Sequence, residues 1–396
     1  MSLHLEQSAD RCRNRLRELS PDRNPQVLFA PYRICPIGAH IDHQGGTVLG
    51  QAIDIGTTLA FVPDTRGELH LSSANYPEEI RIDLRQEKPP EILWARYAWA
   101  AARALEEHLP ERAIGLHGAL EGALTGGGLS SSASFLVALQ TALLTINEID
   151  LAPMDRVRLA RRAENEFVGL ASGILDQASI LGARRGHLLS IDATRETWEP
   201  IAPGKGMEET KFLVCFSGAE RQLATSGFNA RVAQCHEAAA ALGDFAGRPE
   251  TTLLGQHADE IFSLYGDRLS EDLRRRAAHF FTERNRVREG SRAWREGDHH
   301  AFGAAMNASC QSSIENFEVG SPELLALQEI LGTTPGVLGS RFSGAGFAGC
   351  VLALIESAAA DTCAQSVREA FALACPHLAD NARFFIVNSG DGVRFT

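Results

Sequence analysis

The hydrophobic pattern of this chain changes period along its length. Residues 3–19 carry apolar positions at helical spacing between charged ones and predict an amphipathic helix. Residues 27–37 are apolar and partly β-branched and run into a glycine turn, so they read as a strand, with 47–62 as its hairpin-like return. Short strands follow at 69–71 and 80–84, a helix at 93–107, and a strand at 115–124 that leads into a glycine-rich loop. Helices are predicted over 133–146 and 155–169, and strands over 187–191 and 211–216. Beyond residue 229 the pattern turns helical, at 229–242, 251–265, 270–288 and 299–311. Strands at 337–343 and 350–355, a helix at 358–374 and a strand at 384–387 complete it. Prolines and glycines near residue 200 (Pro200, Pro203, Gly204) interrupt the pattern, and the expected units are 1–200 and 201–396.

Four segments carry candidate chemistry. The run Leu124-Thr125-Gly126-Gly127-Gly128-Leu129-Ser130-Ser131-Ser132-Ala133-Ser134 feeds glycines and hydroxyls into an apolar helix. Such a helix start offers unpaired backbone N–H groups and the positive end of a dipole, a setting that receives phosphate. It lacks the Lys-Ser/Thr ending of the P-loop. Taken alone it also reads as a plain surface connection.

Around Arg33, His40, Asp42 and His43, polar groups cluster at a strand end and glycine turn. Loops on rigid elements commonly hold ligand-binding groups, and a solvated hairpin tip is the plainer reading. Asp176, in Gly173-Ile174-Leu175-Asp176-Gln177, sits in apolar company, where a charge is costly unless paired. A helix N-cap is the alternative. Gly339 to Gly349 forms another glycine cluster between strand-like segments, and as a lone feature would fit a bulged hairpin.

Composition narrows the class. With 38 Lys and Arg against 50 Asp and Glu, the net charge of −12 argues against nucleic acid as a partner. There is no run long enough to span a membrane and no apolar signal-peptide core. The eight cysteines are scattered without a CxxC pair, which points to reduced thiols and a cytoplasmic protein rather than a zinc or disulfide framework. Its 396 residues are enough for two domains.

Together, in this order, the four segments resemble the signatures of the GHMP kinases, and within them the galactokinase branch. The resemblance spans residues 25 to 355. It implies a two-domain α+β fold with the active site in the cleft between the domains. It also implies ATP as co-substrate, Mg²⁺, and phosphate transfer to the anomeric hydroxyl of a sugar. Carried over, Asp176 would face the attacking hydroxyl, and Arg33 would counter its charge and that of the transferred phosphoryl group. Ser132 and Glu164 match the Mg²⁺ positions, as hard oxygen ligands. Gly126, Gly127, Gly128, Leu129, Ser130 and Ser131 would cradle the ATP phosphates, with Gly344 and Gly346 of the third motif. Trp94 would lie beside the adenine. His40, Asp42 and Gly173 match sugar-contacting positions.

The chain departs from galactokinases at three such positions. A glutamate that contacts the C6 hydroxyl is replaced by Ala39, and two tyrosines by His43 and Phe228. A uronic acid carries a carboxylate at C6. Against a glutamate about 4 Å away it would be repelled by roughly 4 kcal/mol at an effective dielectric near 20, on the order of a thousandfold in affinity. Alanine removes that repulsion. The runs Tyr-Arg-Ile-Cys-Pro and Gly-Ala-His-Ile-Asp-His-Gln-Gly-Gly are similar to those of plant-type galacturonokinases. The expected acceptor is therefore D-galacturonate, with galactose, arabinose or glucuronate as alternatives, and a non-catalytic sugar and ATP sensor as an alternative of another class. His43, Arg221, Tyr32 and backbone amides are candidates for holding the carboxylate, although Arg221 also reads as a solvated surface residue. A monomer and a homodimer both remain open.

Overall fold

The computed structural model describes residues 3–20, 23–124, 126–219 and 224–396. Its first sheet grows from two long antiparallel strands, β1 (Gln26–Ile37) and β2 (Thr47–Asp64). β3 (Glu68–Ser73), β4 (Ile80–Asp83) and β5 (Gly115–Gly122) extend it beyond β2, with β3 and β5 parallel. The start of β2 also pairs with β6 (Leu188–Asp192), and β6 with β7 (Thr197–Ile201).

Successive residues of these strands serve opposite faces. Val27, Ala60 and Ala119 pack beneath helix α1 (Leu3–Leu19), whereas Leu28, Phe61 and Leu120 join the core under α2 (Leu93–Leu105) and α3 (Ser131–Ile146). α4 (Pro153–Arg162) passes directly into a π-helical turn, Ala163–Val168. α5 (Leu175–Gly182) then packs against α3 and β2.

The second sheet is antiparallel, in the order β11-β8-β10-β9, built from β8 (Thr210–Phe216), β9 (Val337–Ser343), β10 (Cys350–Glu356) and β11 (Arg383–Val387). Around it lie α6 (Ala224–Phe245), α7 (Asp259–Tyr265), α8 (Glu271–Glu296), α9 (His299–Glu315), α10 (Pro322–Thr333) and α11 (Ala360–Ala374). The chain then returns to the first sheet, where β12 (Arg394–Phe395) pairs with β1.

Several expectations change. Pro200 does not break the pattern but sits in β7, which among the described residues pairs only with β6, and an edge strand tolerates a residue without an N–H. The helix expected to end at 288 continues to Glu296 through Gly290. A Cβ on Gly290 would lie 2.3 Å from Ile37 Cδ1, so this glycine admits close packing on β1 rather than stopping the helix. The helix expected over 251–265 is a 3₁₀ turn, Leu254–Gln256, followed by the shorter α7. α5, α10, β7 and β12 are additions to the predicted elements.

Candidate functional site

Pro31 has no N–H to give the strand ladder, and the β1–β2 register shifts between Pro31 and Arg33. The Arg33 amide turns away from β2 and donates to the Leu129 carbonyl at 3.2 Å. Its guanidinium follows. Nε donates to Asp176 Oδ1 at 2.7 Å, and Nη1 donates to the Gly128 carbonyl at 3.1 Å. Burial opposes the Arg33 charge, yet the charge and hydrogen bond of Asp176 outweigh it and hold its pKa above the usual arginine value. The second oxygen of Asp176 accepts the Ser130 hydroxyl. Ser130 sits at φ 59°, a strained conformation for a residue with a Cβ. Both carboxylate oxygens of Asp176 are therefore aimed by groups far away in sequence.

The glycine loop is held from the third glycine motif. A Cβ on Gly128 would lie 2.6 Å from the Ser343 carbonyl oxygen, and one on Gly344 would lie 2.8 Å from the Gly128 carbonyl oxygen. Only glycines allow these two backbones so close. Tyr32 anchors the loop's other end by donating its hydroxyl to the Leu124 carbonyl at 2.7 Å. Ser131 and Ser132 open α3, whose first turn has no side-chain cap, so amides and the dipole's positive end stand at the cavity wall.

Gly128, Asp176 and Gly344 line one cavity of about 330 Å³, shared by both halves of the chain. Arg33, Ala39, His40, Asp42, Trp94, Gly126, Ser130, Ser131, Ser132, Gly173 and Phe228 line it as well. Trp94 stacks on Tyr76 with ring centroids 5.5 Å apart and planes within 6°.

Around Ala39 the wall is tightly built. Asp42 Oδ2 accepts the Leu175 amide at 3.0 Å, placing a carboxylate at the start of α5. Burial raises the Asp42 pKa; that amide bond opposes the rise, and the charge of Asp176 adds to it. His40 stacks on Phe317 at 4.3 Å, and its Nε2 finds no hydrogen-bond partner among the described residues. Burial, with His279 and Arg341 nearby, holds His40 well below the usual histidine pKa.

Five expected site residues do not line the cavity. His43 stands behind it, edge-on to Phe228 at 5.9 Å, and burial lowers its pKa to about 3. Gly127 is packed beneath Gly349, Leu129 belongs to the core, and Gly346 lies against Val319. Glu164 is also buried, on the π-helical turn, and accepts from Ser132 Oγ (3.1 Å), Ser172 Oγ (3.0 Å) and Gln177 Nε2 (2.7 Å). Its pKa is pushed up to about 7, by burial first and then by the charge of Asp176. Arg221 lies outside the described residues.

Residues 96–183 match the family model of the GHMP kinases N terminal domain, 291–373 that of the GHMP kinases C terminal domain, and 18–63 the galactokinase galactose-binding signature. A galacturonokinase from Arabidopsis thaliana is 37% identical over 396 aligned residues, covering 93% of each chain. A galactokinase from Enterococcus faecalis is 31% identical, covering 96% of this chain and 98% of that one. The crystal structure of Lactococcus lactis galactokinase complexed with galactose superposes with a TM-score of 0.88 at 28% identity, covering 96% and 98%.

The chain belongs to the GHMP kinase family.

It is an ATP-dependent sugar kinase of the galactokinase branch, with that family's two-domain fold. No described helix of the kinase is long and apolar enough to cross a membrane. Its eight cysteines are all free and buried.

The structure also adds residues to the kinase's site. Tyr76, Tyr97 and Asn75 join Trp94 at the cavity, and Ser172 and Gln177 complete the surroundings of Glu164. His279, Glu283 and Phe317 back the Ala39 turn from the second half of the chain. His279 and Glu283 stand four apart in a helix, the spacing of one face, and this was the only sequence signal for them.

Proposed function

We propose that this kinase is an ATP:D-galacturonate 1-phosphotransferase. The observation that carries the reading is Ala39. It lines the cavity beside His40 and Phe228, at the position where the galactokinase branch has a carboxylate facing C6. At position 39 a C6 carboxylate meets a methyl group in place of a like charge. The galacturonokinase of Arabidopsis thaliana, 37% identical over nearly the whole chain, supports the same acceptor.

In this reading the sugar lies between Asp42, Gly173 and Asp176, and its anomeric hydroxyl meets the free face of the Asp176 carboxylate. Asp176 orients that hydroxyl and accepts its proton as the hydroxyl oxygen bonds the γ-phosphorus of ATP, the bond from that phosphorus to the β,γ-bridging oxygen breaks and ADP leaves. Arg33 sits within reach of both the carboxylate and the phosphate loop, and so counters charge as it moves between them. The ATP phosphates rest on the first amides of α3 and on the loop from Gly126 to Ser131, with the adenine beside Trp94.

Ser132 and Glu164 would hold Mg²⁺. The fit rests on a buried carboxylate pushed toward protonation, whose Oε1 already meets the Ser132 hydroxyl that reaches the cavity. Bound there, a divalent cation would neutralise phosphate charge, and its remaining ligands would come from the nucleotide and water. The two working units are 1–200 and 201–396, with the last strand returning to the first.

A coupled ADP-release assay over galacturonate, galactose, arabinose and glucuronate tests the assignment. Galacturonate should give the highest kcat/KM; a higher value for any of the other three would refute it.

A further inference from the structure

Ala39 is the centre of a three-residue turn whose flanking members are both left-handed, Gly38 at φ 100° and His40 at φ 66°. A Cβ on Gly38 would lie 2.8 Å from Val48 Cα, so the turn is pressed against β2. His40 has a Cβ and does not hold this conformation unaided. What holds the turn comes from about 240 residues away. Glu283 Oε1 accepts the Gly38 amide at 2.7 Å, and His279 Nε2 lies 3.0 Å from the Ala39 carbonyl oxygen.

A carbonyl oxygen only accepts, so Nε2 of His279 carries the hydrogen. Nδ1 is then the acceptor, and the Ser312 hydroxyl stands 2.9 Å from it. Asn316 Nδ2 donates in turn to Ser312 Oγ at 3.2 Å. The result is a one-way relay, Asn316 to Ser312 to His279 to the Ala39 carbonyl, from α9 through α8 to the wall of the cavity. His279 is buried, and burial keeps its imidazole neutral, as the relay requires. Glu283 is fixed from its other side by Arg286 Nε at 2.6 Å.

We propose that His279 is a positioning residue for the sugar, its Nε2–H fixing the Ala39 carbonyl so that residues 39 and 40 meet the substrate in one register. The proposal rests on the reading that the Ala39 side of the cavity takes the sugar. His279 does not line the cavity; it acts through the backbone of Ala39.

Kinetics with D-galacturonate and ATP test this. His279→Leu removes the donor and should raise the sugar KM about tenfold while the ATP KM stays within about twofold. His279→Gln, which restores an N–H donor, should recover most of that loss. Should the leucine variant fail to fold, Ser312→Ala keeps the imidazole but frees its tautomer, and should raise the sugar KM alone by about threefold. Equal rises in both KM values, an unchanged sugar KM, or a glutamine variant no better than leucine would overturn the role. Asp42→Asn separates the two layers. If it raises the sugar KM while the His279 and Ser312 variants do not, the positioning role fails. If it too leaves the sugar KM unchanged, the sugar lies elsewhere and both readings fail.

Discussion

A Cβ placed on Gly173 would lie 2.1 Å from Oδ2 of Asp42 and 2.8 Å from the His43 amide nitrogen. The carboxylate that accepts the Leu175 amide therefore occupies the space a side chain would need. Gly173→Ala should push Asp42 off the start of α5. A displacement near 1 Å at such a site costs about a hundredfold in rate, so kcat/KM for the sugar should fall by that order. ATP affinity, measured by titration, should remain near wild type. An equal loss of both would place Gly173 outside the sugar's surroundings.

Asp176→Asn keeps the shape of the side chain that receives Arg33 and Ser130 but weakens its ability to take a proton. Positioned proton transfer is worth roughly 10²–10⁴ in rate, and kcat should fall within that span. Nucleotide binding, followed by quenching of Trp94 fluorescence, should change little. A variant turning over at near wild-type rate would remove Asp176 from the chemistry.

Acid should destabilise the fold through its buried histidines. The pKa of His43 is lowered from 6.5 to about 3, chiefly by burial and then by His236 and His279. As pH falls below 6.5 the unfolded chain takes up a proton that the folded one refuses. Stability contributed above that value is therefore lost on the way down to about 3, at about 1.4 kcal/mol per pH unit. His40 and His279, also lowered by burial, act in the same direction. Comparing denaturant unfolding near pH 7 and near pH 5, the loss in wild type should exceed that in His43→Gln by about 2 kcal/mol. Equal losses would show that His43 titrates normally in the folded state.

Much of this site was legible in the sequence, because its chemistry lies in short segments with strong local demands. Gly128 and Gly344 announce themselves as glycines because two backbones meet there, and the apolar surroundings of Asp176 mark a charge in need of a partner. The pairing itself was not legible. Arg33 and Asp176 are 143 residues apart, and nothing in their spacing joins them; the family resemblance did. Pro31 hides its effect in the same way, because the register shift that aims Arg33 depends on β2 as well as on the proline. The continuation of α8 beyond 288 was not legible either, because the residue Gly290 packs on, Ile37, lies in a distant strand. His279 and Glu283 stayed unseen because a buried histidine and an exposed one look alike in a list of residues.

The most direct test compares two sugars on two proteins. In wild type, kcat/KM for D-galacturonate should exceed that for D-galactose. In Ala39→Glu the galacturonate value should fall on the order of a thousandfold, from like-charge repulsion of roughly 4 kcal/mol at about 4 Å, with galactose equal or improved. A galacturonate-to-galactose ratio that is the same in both proteins would contradict the assignment of position 39, and with it the choice of a uronic acid as substrate.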